Sequence, residues 1–145
     1  MKRISIGEID AEAYKAMLVL EKYNQSTSVE TKLRELIKIR ASQINGCAYC
    51  VDMHTEEALA AGESQRRIFA VSVWKESHLF TPEERAALQL TEEMTLISQD
   101  GVSDKTYTEA LQFFGEKTLA QMMMQIVVIN SWNRIAVSCQ QIYKP

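Results

Sequence analysis

The sequence predicts an all-α protein, and three observations carry that reading. Glycine and proline are scarce, at 5 and 2 of 145 residues, so turns punctuate little of the chain. Apolar and polar residues nowhere alternate with period two for the length of a strand, whereas apolar residues recur three and four apart in most segments. Helix start and stop signals divide the chain into about six to seven helices. With 46% hydrophobic residues, residues 1–145 read as a single domain able to bury a core without disulfide staples or a structural metal.

The first helix starts near Asp10, an N-cap residue, and carries Tyr14, Met17 and Leu18 at helical spacing before the polar loop from Asn24 to Ser28. Ser28 is positioned to cap a second helix with the apolar stripe Leu33, Leu36, Ile37 and Ile44, which Asn45-Gly46 ends. A third helix opens at Cys47 and runs to Ala61, stopping at Gly62. Ser64 caps a fourth, through about Lys75, with Ile68, Val71 and Trp74 facing inward, and His78 follows in a loop. Thr81-Pro82-Glu83-Glu84 is the strongest start signal: Thr at the N-cap, Pro at the first helical position and Glu completing a capping box. That fifth helix is expected to end near Ser98. After the Asp100-Gly101 turn, Ser103 caps a short helix with Tyr107, Leu111 and Phe114, stopped by Gly115. The last helix spans about Thr118 to Ile142. Its middle, Met122 to Ile129, is apolar nearly all round, which places it both at the centre of the bundle and at a subunit interface.

The net charge is -3 and the basic residues are scattered. A chain without a basic stripe has no electrostatic footprint for nucleic acid or an anionic membrane surface. Behind Met1-Lys2-Arg3 no apolar run resembles a signal peptide, and Gln125 interrupts the most apolar stretch, so a cytoplasmic location is expected. The three cysteines are an odd number, and a close pair plus the distant Cys139 is no secreted disulfide framework. In a reducing compartment such a pair points to redox or metal chemistry.

The chemistry concentrates in Cys47-Ala-Tyr-Cys50-Val-Asp-Met-His54. Reversible thiol chemistry needs a nucleophile, a resolving thiol and a nearby base, and this segment holds all three. At about 100° per residue, Cys47, Cys50 and His54 fall within roughly 60° of one another, on a stripe that Ala58 and Ala61 continue. Tyr49, Asp52 and Glu56 take the opposite, solvent-facing side. The helix N-terminus favours thiolate, and His54 stands four residues from Cys50, the spacing for proton exchange. A buried cysteine pair that only packs is the plainer reading. Zinc ranks third, because Cys47, Cys50 and His54 supply three ligands and Cys139 or His78 would have to fold back as a fourth. Cys139 is expected in the core and His78 on the surface.

Glu35, eleven residues, then Cys47-x-x-Cys50-x-x-x-His54 resembles the active-site pattern of the AhpD-like alkylhydroperoxidases, within the carboxymuconolactone decarboxylase family. The segments Trp74 to Leu88 and Ile129 to Arg134 resemble later parts of that family, so the similarity runs from about Glu35 to Ala136. The resemblance implies an all-helical bundle assembled as a trimer or hexamer, and a thiol peroxidase cycle with no metal, haem or other cofactor. By matching position it makes Cys50 the peroxidatic thiol, Cys47 the resolving thiol, His54 the proton relay and Glu35 the terminal base. Glu35 rests on the resemblance alone, since the helical wheel sets it opposite the Leu33, Leu36, Ile37 and Ile44 stripe. Tyr49 departs from the best-known AhpD pattern, which has histidine between the cysteines. With a pKa near 10, tyrosine is a poor proton acceptor at neutral pH.

The function expected is therefore a peroxidase that reduces alkyl or hydrogen peroxide through a Cys47–Cys50 disulfide, recharged by an external dithiol of thioredoxin-like or lipoyl type. Two alternatives stay open. A protein disulfide reductase or redox relay requires an exposed Cys47, and a non-catalytic oligomeric subunit requires thiols of ordinary pKa. Whether Cys50 or the more N-terminal Cys47 attacks first is also open.

Overall fold

The structure, a computed structural model, describes residues 3–144. Among them are eight α-helices, one short 3-10 turn and no strand. They are α1 (Ile6–Ile9), α2 (Ala11–Gln25), α3 (Thr31–Ile44), α4 (Ala48–Ala60), α5 (Gln65–Ala70), α6 (Pro82–Thr95), α7 (Ile97–Asp100) and α8 (Asp104–Cys139), with the 3-10 turn at Val71–Val73. The all-helical class read from the sequence is the one observed.

Most of the start and stop residues act as their chemistry dictates. The Asp10 carboxylate accepts the Ala13 N–H at 3.1 Å, and Thr81 and Glu84 complete the capping box, with Pro82 in the first turn. α4 ends with Gly62 at φ 85°, and α8 breaks at Gly115, where φ 70° and ψ 168° interrupt the helical path. Four expectations are corrected. Ser28 does not cap α3: its hydroxyl donates to Gln121 Oε1 at 2.8 Å, and the Glu30 carboxylate takes the Leu33 N–H instead. The fourth helix gives way after Ala70 to the 3-10 turn, which brings Trp74 into the core and its Nε1 within 2.7 Å of Glu92. α6 stops at Thr95, three residues short of Ser98, before the separate single turn of α7. α8 ends at Cys139 rather than Ile142, because Gln140 takes up a left-handed conformation (φ 51°).

α3 is the axis of the bundle and packs against α4, α6 and α8. Leu33 and Ile37 meet Ala87 and Leu90 of α6 and Met122 and Ile126 of α8. Leu36 and Ile39 face Ala58, Ile68, Trp74, Phe80 and Leu88. Ala41 joins Cys47, Cys50, Ile129 and Ala136 in a third cluster that surrounds the thiols. A helix enclosed on every side loses the usual polar face, which is why the charged Glu35 and Lys38 of α3 are buried along with its leucines. Among the described residues no helix is long and apolar enough to cross a membrane.

Candidate active site

The site begins at the turn between α3 and α4. Gly46, at φ 66°, closes α3 with a Schellman pair of bonds: Cys47 N–H to Ser42 O at 2.9 Å and Gly46 N–H to Gln43 O at 3.2 Å. The next residue, Cys47, is already the N-cap of α4, and its sulfur accepts the Cys50 N–H at 3.3 Å. The turn chemistry thus sets both thiols on the positive end of α4 with no intervening loop. Their Sγ atoms lie 2.6 Å apart, adjacent enough to be joined as a disulfide without moving the backbone. Both residues are 1% exposed.

Burial, with the neighbouring Cys47 thiol, pushes the Cys50 thiol up to about 12, although hydrogen bonds from the Asn133 and Ser42 side chains pull in the opposite direction. These two residues belong to a buried amide network: Asn133 Nδ2 donates to Ser42 Oγ, and Asn45 Nδ2 donates to both Asn130 Oδ1 and Asn133 Oδ1. The network ties the thiol turn to α8.

His54 and Glu35 come together directly. His54 Nδ1 lies 2.9 Å from Glu35 Oε2, and equally 2.9 Å from Glu57 Oε2. Glu35 is 3% exposed, while half of the Glu57 side chain meets solvent. Burial works against a charged imidazole, but the Glu35 and then the Glu57 hydrogen bonds outweigh it, and the His54 pKa is raised. The bond to His54 lowers that of Glu57. With Nδ1 turned to the carboxylates, Nε2 is the nitrogen left for chemistry. Among the described residues no hydrogen bond joins His54 to either thiol, so the four-residue spacing brings Cys50 and His54 to one face without pairing them. Behind the histidine, the buried Lys38 ammonium lies 3.4 Å from Glu35 Oε1 and 3.2 Å from Glu21 Oε1.

Cys50, His54 and Glu57 share a cavity of about 210 Å³ walled by α2, α4 and α8, with Tyr14, Tyr49 and Trp132 among its lining residues. Tyr49 therefore lines the site instead of facing solvent as its place on the wheel suggests, with the Tyr143 ring packed edge-on against it. Cys139 is half-buried rather than a core residue, at the last position of α8, and His78 is exposed.

One group of possible metal ligands emerges among the described residues: Glu35, His54 and Glu57 offer three atoms within 4.8 Å of one another. It excludes both cysteines, unlike the zinc set drawn from spacing. The donor types suit a divalent cation, yet the Lys38 ammonium already neutralises Glu35, and a metal would have to sit beside that buried charge. The residues as placed fit a proton relay better than a metal site.

Sequence reasoning missed Glu57, Lys38 and Glu21. Glu57 carried a legible signal, since it stands three residues after His54 on the same helix. Lys38 carried the same signal, three residues after Glu35 on α3, whereas Glu21 had none, because it reaches Lys38 only through an ion pair between α2 and α3. Asn133 lay within a segment singled out by resemblance, with no role attached to it.

An all-helical bundle that holds a buried dithiol on a helix N-terminus beside a His–Glu pair defines the AhpD-like class. The profile of the carboxymuconolactone decarboxylase family matches residues 11–93, and the chain belongs to that family. Over 137 residues it is 43% identical to the uncharacterized protein YdfG of Bacillus subtilis, covering 94% of this chain and 93% of that one. A crystal structure of a protein of unknown function from Agrobacterium tumefaciens, named as a candidate antioxidant defence protein AhpD, is 39% identical. It superposes with a TM-score of 0.96 over 100% of this chain and 99% of its own. The debrominase Bmp8 shares the fold, with a TM-score of 0.83 at 19% identity over 96% of this chain and 74% of that one.

Proposed function

We propose that the protein is a thiol peroxidase that reduces hydroperoxides through a Cys47–Cys50 disulfide. The observation that carries this reading is the position of Cys50: its thiol lines the cavity together with His54 and lies 2.6 Å from Cys47 Sγ. Cys47 is not among the residues that line the cavity, so a peroxide meets Cys50 first. The Cys50 thiol is protonated at rest, with a pKa near 12, and attack requires a base.

In the proposed cycle His54 Nε2 takes the Cys50 proton, and Glu35 and Glu57 stabilise the resulting imidazolium through Nδ1. The Cys50 thiolate attacks the distal peroxide oxygen, the O–O bond breaks, and the departing alkoxide takes the proton back from His54 as an alcohol. Cys50 is left as a sulfenic acid. Cys47 sulfur then attacks Cys50 Sγ, and the expelled hydroxide takes the Cys47 proton as water. An external dithiol, of thioredoxin-like or lipoyl type, reduces the disulfide and is itself oxidised to one. The competing role as a protein disulfide reductase asks for an exposed Cys47, whereas Cys47 is 1% exposed and Cys50 is the thiol that lines the cavity.

The test mixes reduced protein with a limiting alkyl hydroperoxide and follows free thiols and intact mass for wild type, Cys47→Ser and Cys50→Ser. The expected result is rapid loss of two thiols in wild type and a trapped sulfenic acid in Cys47→Ser only. Thiols that oxidise no faster than free cysteine would return the pair to a packing role.

A further inference from the structure

The cavity beside Cys50 is shaped for more than a peroxide group. Tyr14 and Leu18 of α2, Tyr49 and Met53 of α4, and Trp132 of α8 give it one aromatic and apolar side, alongside a polar remainder that includes Gln25, His54 and Glu57. The Trp132 ring is held from two sides, by its Nε1 donating to Glu21 Oε2 at 3.3 Å and by the Tyr14 ring edge-on at 5.4 Å. A fixed indole is a preorganised stacking surface that costs a ligand little ordering of the protein.

Size and charge narrow the occupant. A cavity of ~150 Å³ lined by apolar side chains accepts benzene, so about 210 Å³ takes one aromatic ring with a short side chain. A long acyl chain would extend past it into solvent, and hydrogen peroxide would leave the wall unused. The charged groups on the lining are the carboxylates of Glu21 and Glu57, set against the single imidazole of His54, with no lysine or arginine among them. Lys38 is behind the lining, occupied by Glu21 and Glu35. An anionic ligand would enter against two carboxylates with one histidine to receive it.

We infer that this cavity is a binding site for a neutral single-ring aromatic molecule with a short alkyl side chain, and that it rejects the carboxylate-bearing counterpart. Taken with the proposed peroxidase activity, on which only this last step rests, the substrate class is a neutral aryl-alkyl hydroperoxide.

The experiment measures binding without turnover. Reduced protein is titrated at pH 7.5 with 2-phenyl-2-propanol, the alcohol left by cumene hydroperoxide, and with its para-carboxylate, while NMR follows the Trp132 indole N–H and the Met53 methyl group. The expected result is saturable shifts at both reporters with the alcohol and affinity for the carboxylate lower by about tenfold. Trp132→Ala should weaken alcohol binding by roughly threefold to tenfold. Leu18→Lys, a change at a half-exposed position, should narrow or reverse the preference between the two ligands without touching the core. Equal affinities in wild type, shifts confined to other residues, or a preference that Leu18→Lys leaves unchanged would overturn the inference. Aromatic binding with inert thiols would sink the peroxidase reading and leave the site standing, whereas peroxide turnover without aromatic binding would do the reverse.

Discussion

At the scale of single residues the unusual feature is His54, whose Nδ1 faces two carboxylates at 2.9 Å when it has one proton to offer. Glu35 is fully enclosed and Glu57 reaches water, so the two differ in what they contribute. The pKa of His54 is raised above its ordinary 6.5, so the stabilisation it gains on folding is complete below that value and is lost as pH rises through the folded value. Glu57 is lowered from its ordinary 4.5, so its contribution is present above that value and is lost as pH falls through the folded one. The pair therefore supports the fold most between 4.5 and 6.5. Glu57→Gln should lower the His54 midpoint, read by imidazole NMR in a chain with only 2 histidines. It should also cost stability in urea chiefly inside that window, with the cost fading on the alkaline side. A midpoint that does not move would leave Glu35 as the sole determinant. Under the proposed cycle the same change moves the acidic limb of the peroxidase pH profile to lower pH, because His54 must be unprotonated to take the Cys50 proton and then sheds its own proton at lower pH.

At the scale of elements, what the sequence disclosed was local chemistry. Asp10, the Thr81–Glu84 box, Asn45-Gly46, Gly62 and Gly115 act through neighbours within a few residues, and each marks a real boundary. Ser28 misled because its hydroxyl has a partner 93 residues away, and the buried face of α3 was hidden for the same reason. An apolar stripe announces one packed side of a helix, whereas Glu35 and Lys38 are buried through ion pairs to other elements. The same reasoning separates two glycines that both have open space where a Cβ would go. Gly46 sits at φ 66°, a left-handed conformation that other residues enter at a cost of about 1–2 kcal/mol. Gly115, at φ 70° and ψ 168°, occupies a region open to glycine almost alone. Gly115→Ala should therefore lower the melting temperature more than Gly46→Ala, by several degrees against about 2–4 °C. Gly46→Ala should nevertheless change the rate of Cys47 alkylation, because the turn that positions that thiol is the one strained. The reverse order of melting temperatures would mean that the α8 break relaxes into continuous helix.

At the scale of the whole molecule, α2 looks unfinished. Of its fifteen residues only Asn24 is buried, although Val19 is 68% exposed and Leu18, Leu20 and Tyr23 are also open. Val127 and Val137 leave apolar surface on α8, whose central run is otherwise mostly enclosed, with Met122, Ile126, Val128 and Ile129 each at most 1% exposed. The bundle itself therefore satisfies most of that run, and the surface left for a partner copy lies mainly on α2. Removing such side chains from water contributes roughly 25 cal/mol per Å², and the trimer or hexamer that the family resemblance implies is expected to cover this face. α2 is also a wall of the cavity, through Tyr14, Leu18 and Glu21, so assembly and site are expected to be coupled. Sedimentation velocity should give three or six copies for wild type. Val19→Lys, which does not line the cavity, should shift that distribution toward monomer and at the same time weaken ligand or peroxide handling, because α2 is then held mainly by its Tyr14, Glu21 and Asn24 contacts. A monomeric wild type would refute the assembly, and a dissociated Val19→Lys variant with an unaltered site would show that the bundle alone keeps α2 in place.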